Sequence, residues 1–219
     1  REGDLQAYRV HIMQDAGAYP AIGSVLPMFG RIMASGNYAL DRVDASGESV
    51  VTNTTPVGAY RGAGRPEATL ALERIIDVYA AEIGMDPAEL RRRNFLGKDD
   101  FPYVTQTGAD MDTGDYEAAL DKVLEIVDVD ALRAEQAARI DDPARPLLGI
   151  GWAAYVEITN PLSASEFGSC EIQPDGTALL LTGSSAHGQG HYTTFAQLAS
   201  ELTGIPVDKI EVRHGDTDE

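Results

Sequence analysis

Cysteine is all but missing: Cys170 stands alone among 219 residues, so no disulfide can close within the chain and no cage of thiolates can hold a metal. Its setting, Ser169-Cys170-Glu171-Ile172 in an alternating stretch, predicts a strand in which it sits as a small buried hydrophobe rather than a nucleophile. The four histidines, His11, His187, His191 and His214, form no HExxH and no pairing with carboxylates at a metal-site spacing, so no protein-ligated zinc is expected. Positive charge is scarce, with 17 Lys and Arg against 35 Asp and Glu and a net charge of −18, which argues against a nucleic-acid partner. The one basic cluster, Arg91 to Arg93, falls at the end of a helical pattern, where cations complement the helix dipole. No apolar run approaches the roughly 20 residues needed to cross a bilayer, and the opening REGDLQAYRV carries neither an apolar signal core nor a cleavage-like site. Asp15, Glu67, Asp216 and Asp218 find no partner by spacing, so a glycosidase-type pair of carboxylates has no support.

Glycine, by contrast, is concentrated where it matters. Gly58 to Glu67 (GAYRGAGRPE) holds three glycines, two arginines, a tyrosine and a proline directly before a long helical pattern. Glycine admits positive φ and lets a bound group approach main-chain N–H donors, and Pro66 suits the first turn of the helix that follows. A helix opened this way is either an ordinary loop turn or a seat for an anion at the helix N-terminus. A second segment, Gly183 to His191 (GSSAHGQGH), repeats the pattern ahead of another helix, with Gln189 offering both an amide donor and a carbonyl acceptor. Two such loops suggest one large, rigid, anionic ligand. His187 and His191 flank the second loop as a conceivable proton-transfer pair, or as solvent-facing or capping residues.

The remaining pattern predicts an α+β fold, with mixed or antiparallel sheets and packed helices. Leu5–Gln14 reads as a half-buried strand, 24–35 as a short helix or irregular segment, and Tyr38–Val43 and Ser49–Asn53 as two strands joined by a turn at Asp44–Gly47. A helix over 66–84 presents Leu70, Ile75, Ile76, Val78, Tyr79 and Ile83 at helical spacing and ends at Gly84. A second, capped by Asp86 with Pro87 at N1, runs to Asn94 and completes a hairpin. After a loop over 96–114, Asp112 or Thr113 caps a helix over 116–127, followed by helical 130–139. The acidic, proline-bearing stretch 141–146 is the best boundary, giving parts 1–140 and 141–219. Beyond it come an apolar β-rich run over 148–158, a hairpin of 169–173 and 178–182 across Pro174-Asp175-Gly176, a helix over 192–202 and a strand over 207–212. The last residues, 214–219, leave that element unclosed, as in a chain cut from a longer one.

The motifs AYRGAGR at 59–65 with the following PEA, RNF at 93–95, FPY at 101–103, SCE at 169–171, GQGH at 188–191, AQL at 196–198 and HGDTD at 214–218 occur in the order seen in one family. The chain resembles, nearly throughout, the molybdenum-binding large subunits of the xanthine oxidase family, and most of all the form II relatives of bacterial aerobic carbon monoxide dehydrogenase. The resemblance implies parts of two molybdenum-cofactor-binding domains of a cytoplasmic molybdenum hydroxylase. Such an enzyme oxidises a small molecule with oxygen taken from water and passes two electrons to iron–sulfur centres and FAD on partner subunits, in a dimer of heterotrimers. It implies a molybdopterin cofactor, in bacteria the cytosine dinucleotide form, whose dithiolene holds the molybdenum so that no protein side chain need ligate it. The segment Tyr60, Arg61, Gly62, Ala63, Gly64 is then expected over the molybdenum, with the main chain near Arg61 facing an oxo ligand. Gly188, Gln189 and Gly190 are expected against the pterin, with Gln189 reaching the dithiolene or oxo region.

Two departures from the family pattern narrow the reading. Copper-containing carbon monoxide dehydrogenases carry a cysteine where this chain has Gly62, and without a thiolate there is no soft ligand for Cu(I). An aromatic that packs on substrate in purine- and aldehyde-oxidising members aligns with Ala63, so neither substrate class follows. The family's general-base glutamate lies beyond residue 219 and its GlyGlyPheGly loop before residue 1, so no catalytic residue is expected within the chain, which alone should not turn over. Carbon monoxide dehydrogenase activity, or a non-catalytic module binding a pterin or nucleotide phosphate, are the alternatives.

Overall fold

The computed structural model describes residues 3–158, 165–216 and 218. The chain divides into two compact units, Arg1–Thr159 and Asn160–Glu219, each combining helices with small sheets in the expected α+β manner.

In the first unit, strand β1 (Tyr8–Gly17) pairs in parallel with β2 (Val43–Val51). The expected hairpin of 38–43 and 49–53 does not form; the turn-like Asp44–Gly47 lies inside one continuous strand. Parallel pairing requires a crossover, and the crossover here carries a short 3-10 turn, Ala21–Val25, and helix α1 (Leu26–Ile32). Gly47 therefore serves close packing rather than a turn: a Cβ there would lie 2.9 Å from Cβ of Pro27 in α1. The segment from residue 52 then leads into helix α2 (Arg65–Ile83), which ends at Gly84 in the left-handed region. Helix α3 (Pro87–Asn94) follows, opened by Asp86, whose Oδ1 accepts from the N–H groups of Ala88 and Glu89.

The buried stripe of α2 is not the expected one. Arg65, Ala68, Leu72, Glu73, Ile76 and Ala80 face inward, whereas Leu70, Ile75 and Val78 are exposed. Both stripes have helical spacing, and only the neighbours choose between them. Leu72, Ile76 and Ala80 pack with Tyr38, Leu40 and Leu90 as the main core. Beyond it, two-residue strands β3 (Tyr103–Val104) and β4 (Asp110–Met111) pair antiparallel. Helices α4 (Tyr116–Val127) and α5 (Val129–Ile140) follow, capped by Asp115 and Asp128 rather than by Asp112 or Thr113.

The apolar run 148–158 joins no ladder and does not open the second unit, so the packing division falls later than residue 141. It is held to the first unit by backbone bonds: Leu148 O accepts from Gln136 Nε2, Trp152 O from Arg91 Nη2, and Ile158 O from Arg65 Nη2. Val156 and Ile158 pack against Met33, Ala68 and Ala109.

In the second unit, β5 (Gly168–Ile172) and β6 (Ala178–Thr182) form the expected antiparallel hairpin. Helix α6 (His191–Thr203) then returns the chain to β7 (Ile210–Arg213), parallel to β6; residues 207–209, expected to begin that strand, form a 3-10 turn instead. Ala178, Ala196, Ala199, Ile210 and Val212 make its core. Cys170 is on β5 as expected, but exposed rather than buried. Among the described residues, no helix is long and apolar enough to cross a membrane.

Candidate functional site

The glycine bend of the first unit begins on exposed residues. Gly58 has open space around it, Tyr60 is fully exposed and Arg61 is exposed. The chain then takes three consecutive positive φ angles, 90° at Gly62, 42° at Ala63 and 87° at Gly64. Only Gly64 and the next residue, Arg65, are buried. Gly64 is the N-cap of α2, and a glycine there supplies no side chain to the first-turn N–H groups. Close packing explains why no larger residue fits: a Cβ at Gly64 would lie 2.5 Å from the N of Gly30 and 2.7 Å from the O of Leu26, both in α1.

The approach to the bend is fastened by Asp15, for which spacing suggested no partner. Its carboxylate accepts from the hydroxyls of Thr52 at 2.6 Å and Thr54 at 3.0 Å and from the N–H of Gly17 at 2.8 Å. The Thr52 hydroxyl first, then the Gly17 N–H, hold this carboxyl below the usual aspartate range. Gly23 lets the segment pass, since a Cβ there would overlap the carbonyl oxygen of Val57 at 1.8 Å.

Arg65 was not singled out by its pattern, yet it is the most heavily engaged residue of the bend. Its Nη1 donates to the carbonyls of Gly62 and Ala63 at 3.0 and 3.1 Å, and Nη2 to that of Ile158 at 3.3 Å. Nε lies 3.2 Å from Oε1 of Glu157, off the hydrogen-bond direction, and the guanidinium sits 5.4 Å from the ring centroid of Phe29. The only advance signal is an arginine at the first position of a helix, where the dipole disfavours a cation.

Arg91 to Arg93 do more than complement the end of α3. Arg91 is buried and pairs with Glu73 at 2.7 Å and Asp77 at 2.8 Å; Arg92 meets Glu89, Glu117 and Asp121, and Arg93 meets Asp4. A carboxylate one residue after Leu72 on the inward face of α2 is the sequence signal that a buried cation was needed.

In the second unit, the loop 183–190 sits beside Glu166. The Glu166 carboxylate accepts from the hydroxyls of Ser184 at 2.6 Å and Thr182 at 3.2 Å. The Ser184 hydroxyl is the main cause holding this acid below the usual glutamate range. Gly188 and Gly190 have φ of 101° and 80°, and Gly190 is the N-cap of α6, again without a side-chain cap and with open space where a Cβ would stand. The side-chain oxygen of Gln189 accepts from the N–H of His187, so this amide is folded onto its own loop. His191 stacks on Phe195 with ring centroids 4.9 Å apart and lies 6.5 Å from His214, which in turn stands 4.5 Å from Tyr192. Of the 214–218 motif, Thr217 lies outside the described residues.

Each unit thus presents a helix opened by a left-handed glycine with no capping side chain, the donor arrangement that suits an anionic group. Among the described residues, no three His, Cys, Asp or Glu side chains gather closely enough to hold a metal ion themselves. What these two places offer instead is backbone N–H groups, which suit an anionic class of ligand.

The comparisons with known proteins agree with such a class. Residues 1–95 and residues 122–219 each match a family model described as a molybdopterin cofactor-binding domain. The chain is 41% identical over 231 residues to the carbon monoxide dehydrogenase large chain of Hydrogenophaga pseudoflava, covering 99% of this chain and 29% of that protein. It is 34% identical to the corresponding chain of Afipia carboxidovorans, covering 100% and 29%. The crystal structure of quinoline 2-oxidoreductase from Pseudomonas putida 86 superposes with a TM-score of 0.83 at 30% identity, over 100% of this chain and 29% of that one. The chain therefore belongs to the molybdopterin-binding large subunits of the xanthine oxidase family. It spans 29% of the length of these relatives.

Proposed function

We propose that this chain is part of the catalytic large subunit of a molybdenum hydroxylase, in which the bend Tyr60–Gly64 and the loop Gly188–Gly190 hold a molybdopterin cofactor. The observation that carries the reading is the pair of uncapped, glycine-opened helices, α2 and α6, one in each stretch matched by a molybdopterin-binding model. When bound, the cofactor, in its cytosine dinucleotide form, supplies the two-electron chemistry, with water as the source of oxygen. The chain's own part is to bind and orient. The N–H groups of Ala63, Gly64 and Glu67 would offer donors at one place, since Pro66 has none and that of Arg65 is taken by the Gly62 carbonyl. Those at Gly188–Gly190 and the first turn of α6 would do so at another, and Gln189, whose amide oxygen here accepts from His187 N–H, would be the side chain that reaches the cofactor. The electrons pass to iron–sulfur and FAD subunits, in a cytoplasmic dimer of heterotrimers.

Two of the relatives are carbon monoxide dehydrogenases, which favours that activity as the second reading. Gly62 weighs against it, since this position offers no thiolate for copper and Cys170 lies on β5 rather than in the bend. The test is elemental analysis of the full-length native protein, together with its co-purifying subunits, followed by a substrate panel that includes CO. Molybdenum near one atom per large chain, iron and flavin in the preparation, no copper and no CO oxidation are expected. Absence of molybdenum from the native protein sinks the reading, and copper with CO turnover replaces it by the second.

A further inference from the structure

We propose that Arg65 is a positioning residue: it sets the peptide orientations of the bend at Gly62–Gly64 and, through them, the site of the molybdenum cofactor. The proposal rests on the reading of that bend as a cofactor segment. An arginine at the first position of a helix is a poor choice on local grounds, because its charge meets the positive end of the dipole and its burial removes hydration. The side chain is nevertheless only 7% exposed. What holds it there is a set of acceptors turned inward. The carbonyls of Gly62 and Ala63 converge on one nitrogen, Nη1, and the carbonyl of Ile158 takes the other, Nη2. Glu157 supplies the opposite charge at 3.2 Å, and the ring of Phe29 lies over the guanidinium.

The consequence follows from peptide geometry. In a trans peptide the C=O of one residue and the N–H of the next point in opposite directions. Drawing the carbonyls of Gly62 and Ala63 onto the guanidinium therefore aims the N–H groups of Ala63 and Gly64 away from it. Positive φ at all three residues lets the chain accept this arrangement. The fixed cation behind the bend also adds to the positive potential of the α2 N-terminus. Lysine could match the charge but not the fork, since a single ammonium cannot serve the two bend carbonyls and Ile158 with planar, diverging donors.

The experiment uses the full-length native protein with the subunits that accompany it, as Arg65→Lys, Arg65→Met, Arg91→Met and Gly62→Val variants. Three quantities are read: molybdenum per folded large chain, the Mo(V) electron paramagnetic resonance spectrum after partial reduction with dithionite, and the melting temperature. Arg91 anchors the same 152–158 segment from its other end, at Trp152 O, without touching the bend. Arg91→Met is therefore expected to melt earlier yet keep parental molybdenum content and spectrum. Arg65→Met is expected to lose molybdenum several-fold, and Arg65→Lys to regain most of it with altered g values. Parental spectra in Arg65→Lys overturn the proposal, even if Arg65→Met fails to fold. Equal loss of molybdenum in Arg91→Met overturns it as well, because the effect would then be general destabilisation. Parental molybdenum and spectrum in Gly62→Val would instead sink the underlying reading of the bend as a cofactor segment.

Discussion

Arg91 Nε, in the last turn of α3, donates to Oε2 of Glu73 in the middle of α2 at 2.7 Å, with the two side chains 1% and 5% exposed. Around this contact the rest of the first unit is joined. Glu73 also accepts from the hydroxyl of Tyr38 at 2.5 Å and the N–H of Ala154 at 3.0 Å, and Arg91 donates to the carbonyls of Glu73, Pro87 and Trp152. Two helices, the segment at Tyr38 and the run 152–154 thus meet on one ion pair. Burial by itself would lower the proton affinity of Arg91, but the Glu73 carboxylate, with Tyr38 and Asp77 behind it, outweighs burial and leaves the guanidinium more firmly charged than usual.

Removing one partner leaves an unpaired buried charge, which typically costs about 3–5 kcal/mol. Arg91→Met is expected to lower the free energy of unfolding by that amount, measured by denaturant titration of the first unit's transition. The double variant Glu73→Met/Arg91→Met should recover part of it, because the fully buried pair is then gone and only the partly exposed Asp77 carboxylate has lost its cation.

Tyr38 gives a signature at alkaline pH. Burial first, and the neighbouring Glu73 charge second, raise its phenol well above the usual 10.0. A group whose folded pKa is raised contributes stability that is complete below the unfolded value and is lost as pH rises through the folded one. Stability should therefore decline above about pH 10, with a slope reduced in Tyr38→Phe. Ultraviolet titration should show one phenol that ionises only with unfolding.

The bend at Gly64 tolerates no side chain. A left-handed non-glycine residue costs about 1–2 kcal/mol, and overlap in a packed site typically about 1–3 kcal/mol more. Gly64→Ala, whose Cβ would stand 2.5 Å from Gly30 N, is expected to lose about 3 kcal/mol on those two counts. Gly58→Ala, with open space around the new methyl, should stay within about 0.5 kcal/mol of the parent. Thermal unfolding of the two variants side by side decides it.

Glu166 makes the second loop sensitive to acid. The hydroxyl of Ser184, then that of Thr182, depress its pKa below the usual 4.5. A depressed carboxylate contributes stability that is present above the unfolded value and is lost as pH falls through the folded one. Protection of the 183–185 amides against hydrogen exchange is thus expected to fall as the pH drops below about 4.5. Glu166→Gln should lose that protection at neutral pH and show a flatter acid profile.

Local rules carried much of the fold. Asp86, Pro87, Gly84 and the Pro174-Asp175-Gly176 turn act on their own neighbours, so the α2–α3 hairpin and the β5–β6 hairpin were legible. The turn expected at Asp44–Gly47 was not, because its glycine answers to Pro27 of α1, a contact distant in sequence. The family motifs marked Tyr60–Gly64 and Gly188–Gly190 as candidates; Arg65 closes the first of these motifs, but its contacts, like those of Asp15, lie with partners as far off as Ile158 and Thr54 and were not legible.

The amino-acid order alone determined most of the helical segments, the Asp86 cap of α3, and that glycines open α2 and α6. Those outcomes depend on groups within a turn or two of one another. Only the tertiary structure decided which stripe of α2 is buried, that Glu73 and Arg91 share the interior, and that the carbonyls of Gly62 and Ala63 face a guanidinium. A helix has several faces of acceptable spacing, and a buried charge is tolerable only where a distant residue arrives to pair with it, so both choices wait on packing.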